Sequence, residues 1–447
     1  MGKKIKLLQV ANSLGIGGTE RNFQNIASSI NKEKFEIYNV GFFDNKNRGK
    51  IIKKNKLNSL TCDGNIKKFE HYLKKYSIDV LLIHRAGNYN NNEFKIIKCA
   101  KKLKIKLIAE INVFGLYDKS TYNDINLHFH VSNTSILKYM INKKTWDKKD
   151  SQINFVIYNG LDLKNIDKNL TKINIEKFKS RYGIKNDDFV ISRTARPSMS
   201  KWTDLTTIVA LLLHNNNKNI IFIFRSIPKE REKIFKKILK NNFINLPVTL
   251  DEKDILSIYK ISDITFNFSK IGESFGYSIA ESMYCATPVI SNLTKNKDNA
   301  QIELIDNDRN GLIIKGGPIY ITKIIKNLTS SKKRMSLESL GENAIIKIKS
   351  NYDMERSTRS LETYLLLYLK NSNINNFYSE VRKSTYIHPS LKEMYDYQKS
   401  YNRRLLDYQK TYLNMYEKFL DILLILIIKF IDRYEDIFIR LKSKFIL

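Results

Sequence analysis

Short apolar runs alternate with helix-type stretches twice along this chain, and that rhythm restricts its folds more than any other feature. In the first half, extended runs over residues 5–10, 35–43, 80–84, 107–111, 127–132 and 155–157 alternate with helical periodicity over 19–30, 66–76, 92–102 and 132–140. The pattern restarts near residue 188. Runs over 189–194, 220–224, 247–250, 264–269, 287–290 and 311–314 alternate with helices from 204, over 228–241 and 253–261, and over 277–286. Strands separated by helices predict parallel sheets, because parallel neighbours need a crossover connection. Two such series in 447 residues exceed one ordinary core, so two α/β domains are expected, over 1–165 and 166–370. In such sheets, groups that act should gather beyond the strand C-termini. The polar break NSNINN opens a third segment, a helical amphipathic tail over 371–447.

Three stretches carry chemistry. The first is IGESFGYSIAESMYCATPVI over 271–290, where Glu273 and Glu281 stand with seven residues between them. Glu273 falls in a glycine-flanked loop, and Glu281 about two turns into the following helix, near a rim. Ionised carboxylates accept hydrogen bonds and sugar hydroxyls donate them, so two such acids suit a polyhydroxylated ligand. Either acid alone reads as well as a solvated surface residue. The second stretch is Arg196-Pro-Ser-Met-Ser-Lys201, two cations on a loop after a strand. Arg offers a planar fork and Lys a point charge, a pair suited to a diphosphate and also common by chance in a lysine-rich chain. The third is the loop around Gly17 and Gly18 between a strand and a helix N-terminus. Such a loop can cradle an anion or be a plain turn, and it lacks the G-x-G-x-x-G spacing of a dinucleotide site.

Taken together and in this order, the motifs resemble those of retaining GT-B glycosyltransferases of glycosyltransferase family 4, over roughly residues 1–370. Glu273 and Glu281 look like the family's E-x7-E, Arg196 and Lys201 like its R-x4-K, and Gly17-Gly18-Thr19-Glu20 like its G-G-x-E loop. Tyr158-Asn-Gly-Leu-Asp162 is similar to the segment that ends the family's first domain. The resemblance implies two Rossmann-like domains facing across a cleft. It implies a nucleoside-diphosphate sugar as co-substrate with no further cofactor, retention of configuration and no required metal. Glu281 would hold ribose hydroxyls, and Glu273 the sugar, with Ser274, Phe275 and Gly276 beside it. Arg196 and Lys201 would neutralise the leaving diphosphate, helped by Gly17 and Gly18. The acceptor would be a glycan or a lipid-linked sugar, in cell-surface polysaccharide or glycoconjugate synthesis. Many relatives carry a His after the later first-domain strand. Here Asn112 is the nearest polar residue, so no general base carries over, and His84, Asn112 and His130 remain as acceptor contacts.

Composition closes off some classes. A formal charge of +32 suits nucleic acid, an anionic membrane or an anionic small substrate. Lysine dominates that charge and no Arg-rich, aromatic-interleaved patch is evident, so no specific nucleic-acid binding is expected. A non-enzymatic basic protein binding membrane or nucleic acid on a Rossmann-like scaffold is the alternative, and it gives no account of the glutamate motif. Cys62, Cys99 and Cys285 are scattered, which points to a reducing, cytoplasmic setting and no cysteine metal site. The lysine-rich start reads as a strand rather than a signal peptide, and no run is long enough to span a bilayer. Asp306-Asn-Asp308 reads as an Asx turn rather than a metal-binding D-x-D. In the tail, apolar residues from Tyr397 to Phe430 form one helical stripe with an eleven-residue echo at Asp396 and Asp407. The stripe predicts either self-association or a peripheral helix lying on an anionic membrane.

Overall fold

The structure is a computed structural model that describes residues 3–86, 91–217, 219–294, 297–329, 331–371, 373–383, 396, 399–400 and 415–444, with no side-chain description for 331–335 and 431–444. The tail residues Tyr397, Tyr401, Leu405, Tyr408 and Tyr412, most of the repeated segments and residues 445–447 lie outside the described residues. The chain forms two compact units. One comprises Met1–Leu163, Ser274–Gly276 and Asn351–Ser400; the other comprises Lys164–Glu273, Tyr277–Ser350 and Tyr401–Leu447.

The first unit holds a seven-stranded sheet of β1 (Ile5–Ser13), β2 (Phe35–Asp44), β3 (Ser59–Thr61), β4 (Val80–Arg85), β5 (Leu107–Asn112), β6 (Leu127–His130) and β7 (Asn154–Val156). Their order is β3-β2-β1-β4-β5-β6-β7, and every pairing is parallel. Successive side chains on a strand face opposite ways, so each central strand must be apolar at consecutive positions. Val80 and Leu82 enter one core, and Leu81 and Ile83 the other. The first core is closed by Leu361, Tyr364 and Leu365 of the helix Met354–Lys370 and by Phe377 and Val381 of Ile374–Lys383. The short strand β3 and the helix Arg48–Lys54 carry too little periodicity to have been read from the sequence.

The second unit holds a six-stranded parallel sheet of β8 (Phe189–Thr194), β9 (Ile220–Arg225), β10 (Phe243–Leu246), β11 (Ile264–Asn267), and two strands that follow the motif ladder described next. That ladder is β12 (Gly272–Glu273) paired in parallel with β14 (Asp298–Asn299). The sheet is completed by β13 (Val289–Asn292) and β15 (Gly311–Ile314), in the order β10-β9-β8-β11-β13-β15. The extended run expected over 247–250 is instead β10, four residues earlier. Pro247 has no N–H to give a ladder and ends the strand. Phe189, Ile191, Phe222 and Phe224 fill one core, while Val190 and Ile223 face the other. This is the doubled α/β architecture that the alternation requires.

Candidate functional site

β8 is an apolar strand interrupted by Arg193, which is 1% exposed. Its guanidinium donates to the carbonyls of Phe266 (3.1 Å) and Phe268 (2.6 Å) at the end of β11, and to the Lys201 carbonyl. The Trp202 ring covers it at 4.9 Å. Burial pulls its pKa down to about 10, with the Glu273 charge opposing. A guanidinium offers five donors in a rigid fork, so one side chain ties both ends of the 195–201 loop to the neighbouring strand. Sequence reasoning missed Arg193, although a lone cation inside the run FVISRT is the signal that could have found it.

The loop so fixed delivers Lys201. Its Nζ donates to Glu273 Oε1 at 2.7 Å and to the Gly272 carbonyl at 2.8 Å. Both side chains are nearly buried, at 14% and 15% exposure. Burial lowers the Lys201 pKa below the ordinary lysine value; Glu273 opposes this, while Arg196 and Arg193 add to it. An ammonium has three N–H donors, so one remains for an anion after Glu273 and Gly272 take theirs. Arg196 is exposed on the same loop, and among the described residues its side chain makes no ion pair.

Glu273 is held by backbone. β12 pairs with β14, and the Glu273 carbonyl accepts from Ala300 N at 2.9 Å. Gly272 stands at φ 70° with a Cβ position only 1.5 Å from the Asp298 carbonyl oxygen, so only glycine closes this ladder. Ser269 Oγ donates to the Gly272 carbonyl at 3.1 Å, and Thr294 Oγ1 to the Ser269 carbonyl at 2.7 Å. Lys201 and Glu273, 72 positions apart in the chain, are therefore one rigid pair.

Glu281 lies on the helix Tyr277–Tyr284 and is 5% exposed, so it does not stand at an open rim as expected. Its helix turns it inward, where Tyr259 Oη approaches Oε2 at 3.4 Å, and Tyr259 also meets Thr194 Oγ1. Burial and the Glu281 charge push the Tyr259 phenol well above its ordinary pKa, keeping it neutral. Ser274 is half-buried, Gly276 takes φ 106°, and Phe275 is buried with its ring 5.7 Å from Tyr352. In the first unit, Gly17 is the extended N-cap of the helix Gly18–Ser29, and the Glu20 carboxylate closes over it.

His84, Asn112 and His130 are each buried and hydrogen-bonded within the first unit. His84 is 2% exposed, and its Nε2 lies 3.2 Å from Gln9 Oε1. Gln9 Nε2 already donates to the Phe23 carbonyl (3.0 Å) and to Asn39 Oδ1 (2.5 Å), so the His84 N–H is the donor of this contact. Burial pulls the His84 pKa down to about 3. His130 is fully buried against Asn154 Oδ1 at 2.9 Å, with its pKa down to about 4. The Asn112 amide is consumed by Glu110 and by both backbone groups of Leu116. Buried polar groups need such partners, and these three use theirs to hold strand ends. Beside them Arg85 binds Glu93 (3.1 Å), Glu110 (3.0 Å) and Asp118 (2.9 Å), and His128 Nδ1 lies 2.7 Å from Glu110. These charges hold Glu110 down to about 2 against its burial. Asp306 and Asp308 form the expected turn: Asp306 N donates to Asn310 Oδ1 at 2.8 Å, and its carboxylate pairs with Lys347 at 2.9 Å.

The family model described as "Glycosyl transferases group 1" matches residues 174–346, the span that carries Arg193, Arg196, Lys201, Glu273 and Glu281. No curated protein matches the sequence. Solved structures share the fold across most of the chain. HepE from Anabaena, in complex with UDP and glucose, has a TM-score of 0.65 at 16% identity and covers 81% of this chain and 99% of its own. A glycosyltransferase from Rickettsia africae has a TM-score of 0.68 at 17% identity, covering 83% and 100%. Sucrose-phosphate synthase from Thermosynechococcus elongatus has a TM-score of 0.59 at 11% identity, covering 82% and 100%. The fold is GT-B.

Proposed function

We propose that this GT-B chain, with a glycosyl transferases group 1 region over residues 174–346, is a glycosyltransferase that uses a nucleoside-diphosphate sugar. The observation that carries the reading is the Lys201–Glu273 pair, a cation with one free donor locked 2.7 Å from a carboxylate by the 195–201 loop and the β12–β14 ladder. HepE crystallised with UDP and with UDP-glucose supports the same class of donor.

The chemistry follows from the residues. As the glycosidic bond to the diphosphate breaks, negative charge grows on the leaving oxygen. Lys201 and Arg196 lie fixed or poised to receive it, and a preorganised cation in a partly dry site is worth far more there than in water. Glu273 is assigned to accept hydrogen bonds from sugar hydroxyls, and Glu281 from ribose hydroxyls. We assign no side chain as a nucleophile, and we propose transfer with retention from one face and without a required metal. The acceptor is a glycan or lipid-linked sugar, and three free cysteines, Cys62 and Cys285 among them buried, fit a cytoplasmic enzyme of polysaccharide or glycoconjugate synthesis.

The test is a panel of nucleotide sugars with release of nucleoside diphosphate as readout, with and without a chelator. Slow hydrolysis of one donor, lost in Glu273→Gln and kept in chelator, is the expected result. If no nucleotide sugar is hydrolysed and calorimetry detects no UDP, GDP or ADP binding, the reading is wrong.

A further inference from the structure

The C-terminal helix Met415–Lys444 is seated on the second unit and is apolar on two sides. A surface helix ordinarily turns its apolar stripe inward and its charges outward. Here the packed side carries Glu417 and Asp421 among Leu420, Leu424, Ile425 and Ile428, and a second apolar stripe faces outward. Asp421, 6% exposed, accepts from Gly317 N (2.9 Å), Ile319 N (2.8 Å) and Tyr320 N (3.4 Å). It thereby caps the helix Pro318–Leu328 from another part of the chain, a favourable place for a carboxylate. A Cβ at Gly317 would fall 2.4 Å from Asp421 Oδ1, so glycine leaves room for the clamp. One turn earlier Glu417 pairs with Lys323 at 2.8 Å.

The opposite side is apolar and exposed. Met415, Tyr416, Phe419, Ile422, Leu423, Leu426, Ile427 and Phe430 range from 42% to 87% exposure. At about 3.6 residues per turn these eight fall on one continuous arc, and Lys418 and Lys429, both exposed, fall along one edge of it. Among the described residues no helix is long and apolar enough to cross a membrane.

We propose that this arc is a membrane-docking surface that lies flat on an anionic bilayer, oriented by the Asp421 clamp. Apolar side chains enter the acyl boundary while Lys418 and Lys429 reach lipid phosphates at the margin. Charge chooses this occupant over a second copy of the chain. A protein of formal charge +32 is attracted to an anionic surface and repelled by its own twin.

The test is flotation of the full chain with vesicles of phosphatidylcholine alone and of phosphatidylcholine with phosphatidylglycerol. The chain should float with the anionic vesicles at least about tenfold more than with the neutral ones, and less as salt rises. Phe419→Glu with Leu426→Glu should abolish flotation with an unchanged melting temperature. Lys418→Glu with Lys429→Glu, a purely surface change, should lower it and flatten the salt dependence. Unaltered flotation in both double variants overturns the proposal. So does a wild-type chain that ignores all vesicles, whether or not light scattering shows a dimer lost in Phe419→Glu with Leu426→Glu; a lost dimer would assign the arc to a second copy.

Discussion

Replacing Lys201 with methionine separates the proposed diphosphate contact from everything else the site does. Methionine keeps the length of the buried stem and removes the charge and its donors. A hydrogen bond between charged groups contributes about 1.5–3 kcal/mol. At about 1.4 kcal/mol per decade, UDP should bind roughly 10- to 150-fold more weakly, while uridine should change by less than about twofold. The pH dependence sharpens this. Burial makes Lys201 shed its proton below the ordinary lysine value of 10.5, so UDP affinity in the wild-type protein falls as pH rises through that lowered pKa. Between that value and 10.5 the unfolded chain binds the extra proton, so folding stability moves the other way and rises with pH. Glu273 is the first influence opposing the burial, and Glu273→Gln removes it. Its alkaline midpoint for UDP binding should therefore lie below the wild-type one, even though a competing negative charge has gone. Calorimetry of UDP and uridine across the alkaline range measures all of this. Equal losses for UDP and uridine in Lys201→Met, or a midpoint that rises in Glu273→Gln, would refute the assignment.

Three further outcomes are expected. Arg193→Met should destabilise the second unit by about 3 kcal/mol, because three buried carbonyls lose a charged donor, and should cut turnover by more than it cuts uridine binding; Arg193→Lys should recover only part of either, as denaturation and kinetics will show. Arg85→Leu should cost about 4 kcal/mol in the first unit by stranding Glu93, Glu110 and Asp118, and should lift the Glu110 pKa from about 2, visible as acid unfolding at a higher pH. His130, neutral when folded with a pKa near 4 against an ordinary 6.5, makes the chain lose about 2 kcal/mol between neutral pH and pH 5; His130→Gln should flatten that slope in urea titrations, and an unchanged slope would contradict it.

The doubled α/β plan was legible because a parallel strand buried on both faces must be written as a continuous apolar run. β4, β5 and β8 each open with such a run, over Val80–Ile83, Leu107–Ala109 and Phe189–Ile191. Edge and short strands such as β3 and β10 are half-covered and lack that signature, so β10 was expected at the wrong place. The helix Met354–Lys370 has a clear apolar stripe, but a stripe says only that something is covered, not which sheet. At the site, Glu273 and Lys201 were readable as types on loops after strands, whereas their 2.7 Å contact depends on Arg193 and Gly272, whose roles exist only across strands. His84 and His130 were candidate contacts in sequence, and both are buried in the structure. A histidine near a strand end can face solvent or the neighbouring strand, and only the partner, Gln9 or Asn154, decides.

The closure of the first core by Leu361, Tyr364, Leu365, Phe377 and Val381 has a consequence for biogenesis. On the ribosome, the nascent first sheet is complete once β7 has emerged. The part of one apolar face that the helix Gly18–Ser29 leaves uncovered then waits for about 200 further residues, roughly 10–40 s at ordinary elongation rates. During that interval the entire second unit is synthesised, free to collapse against the uncovered face of the first. A nascent chain of this design is a natural client for holdase chaperones. Termination before residue 354 would release a polypeptide with every motif of the second unit present and the first core still unclosed.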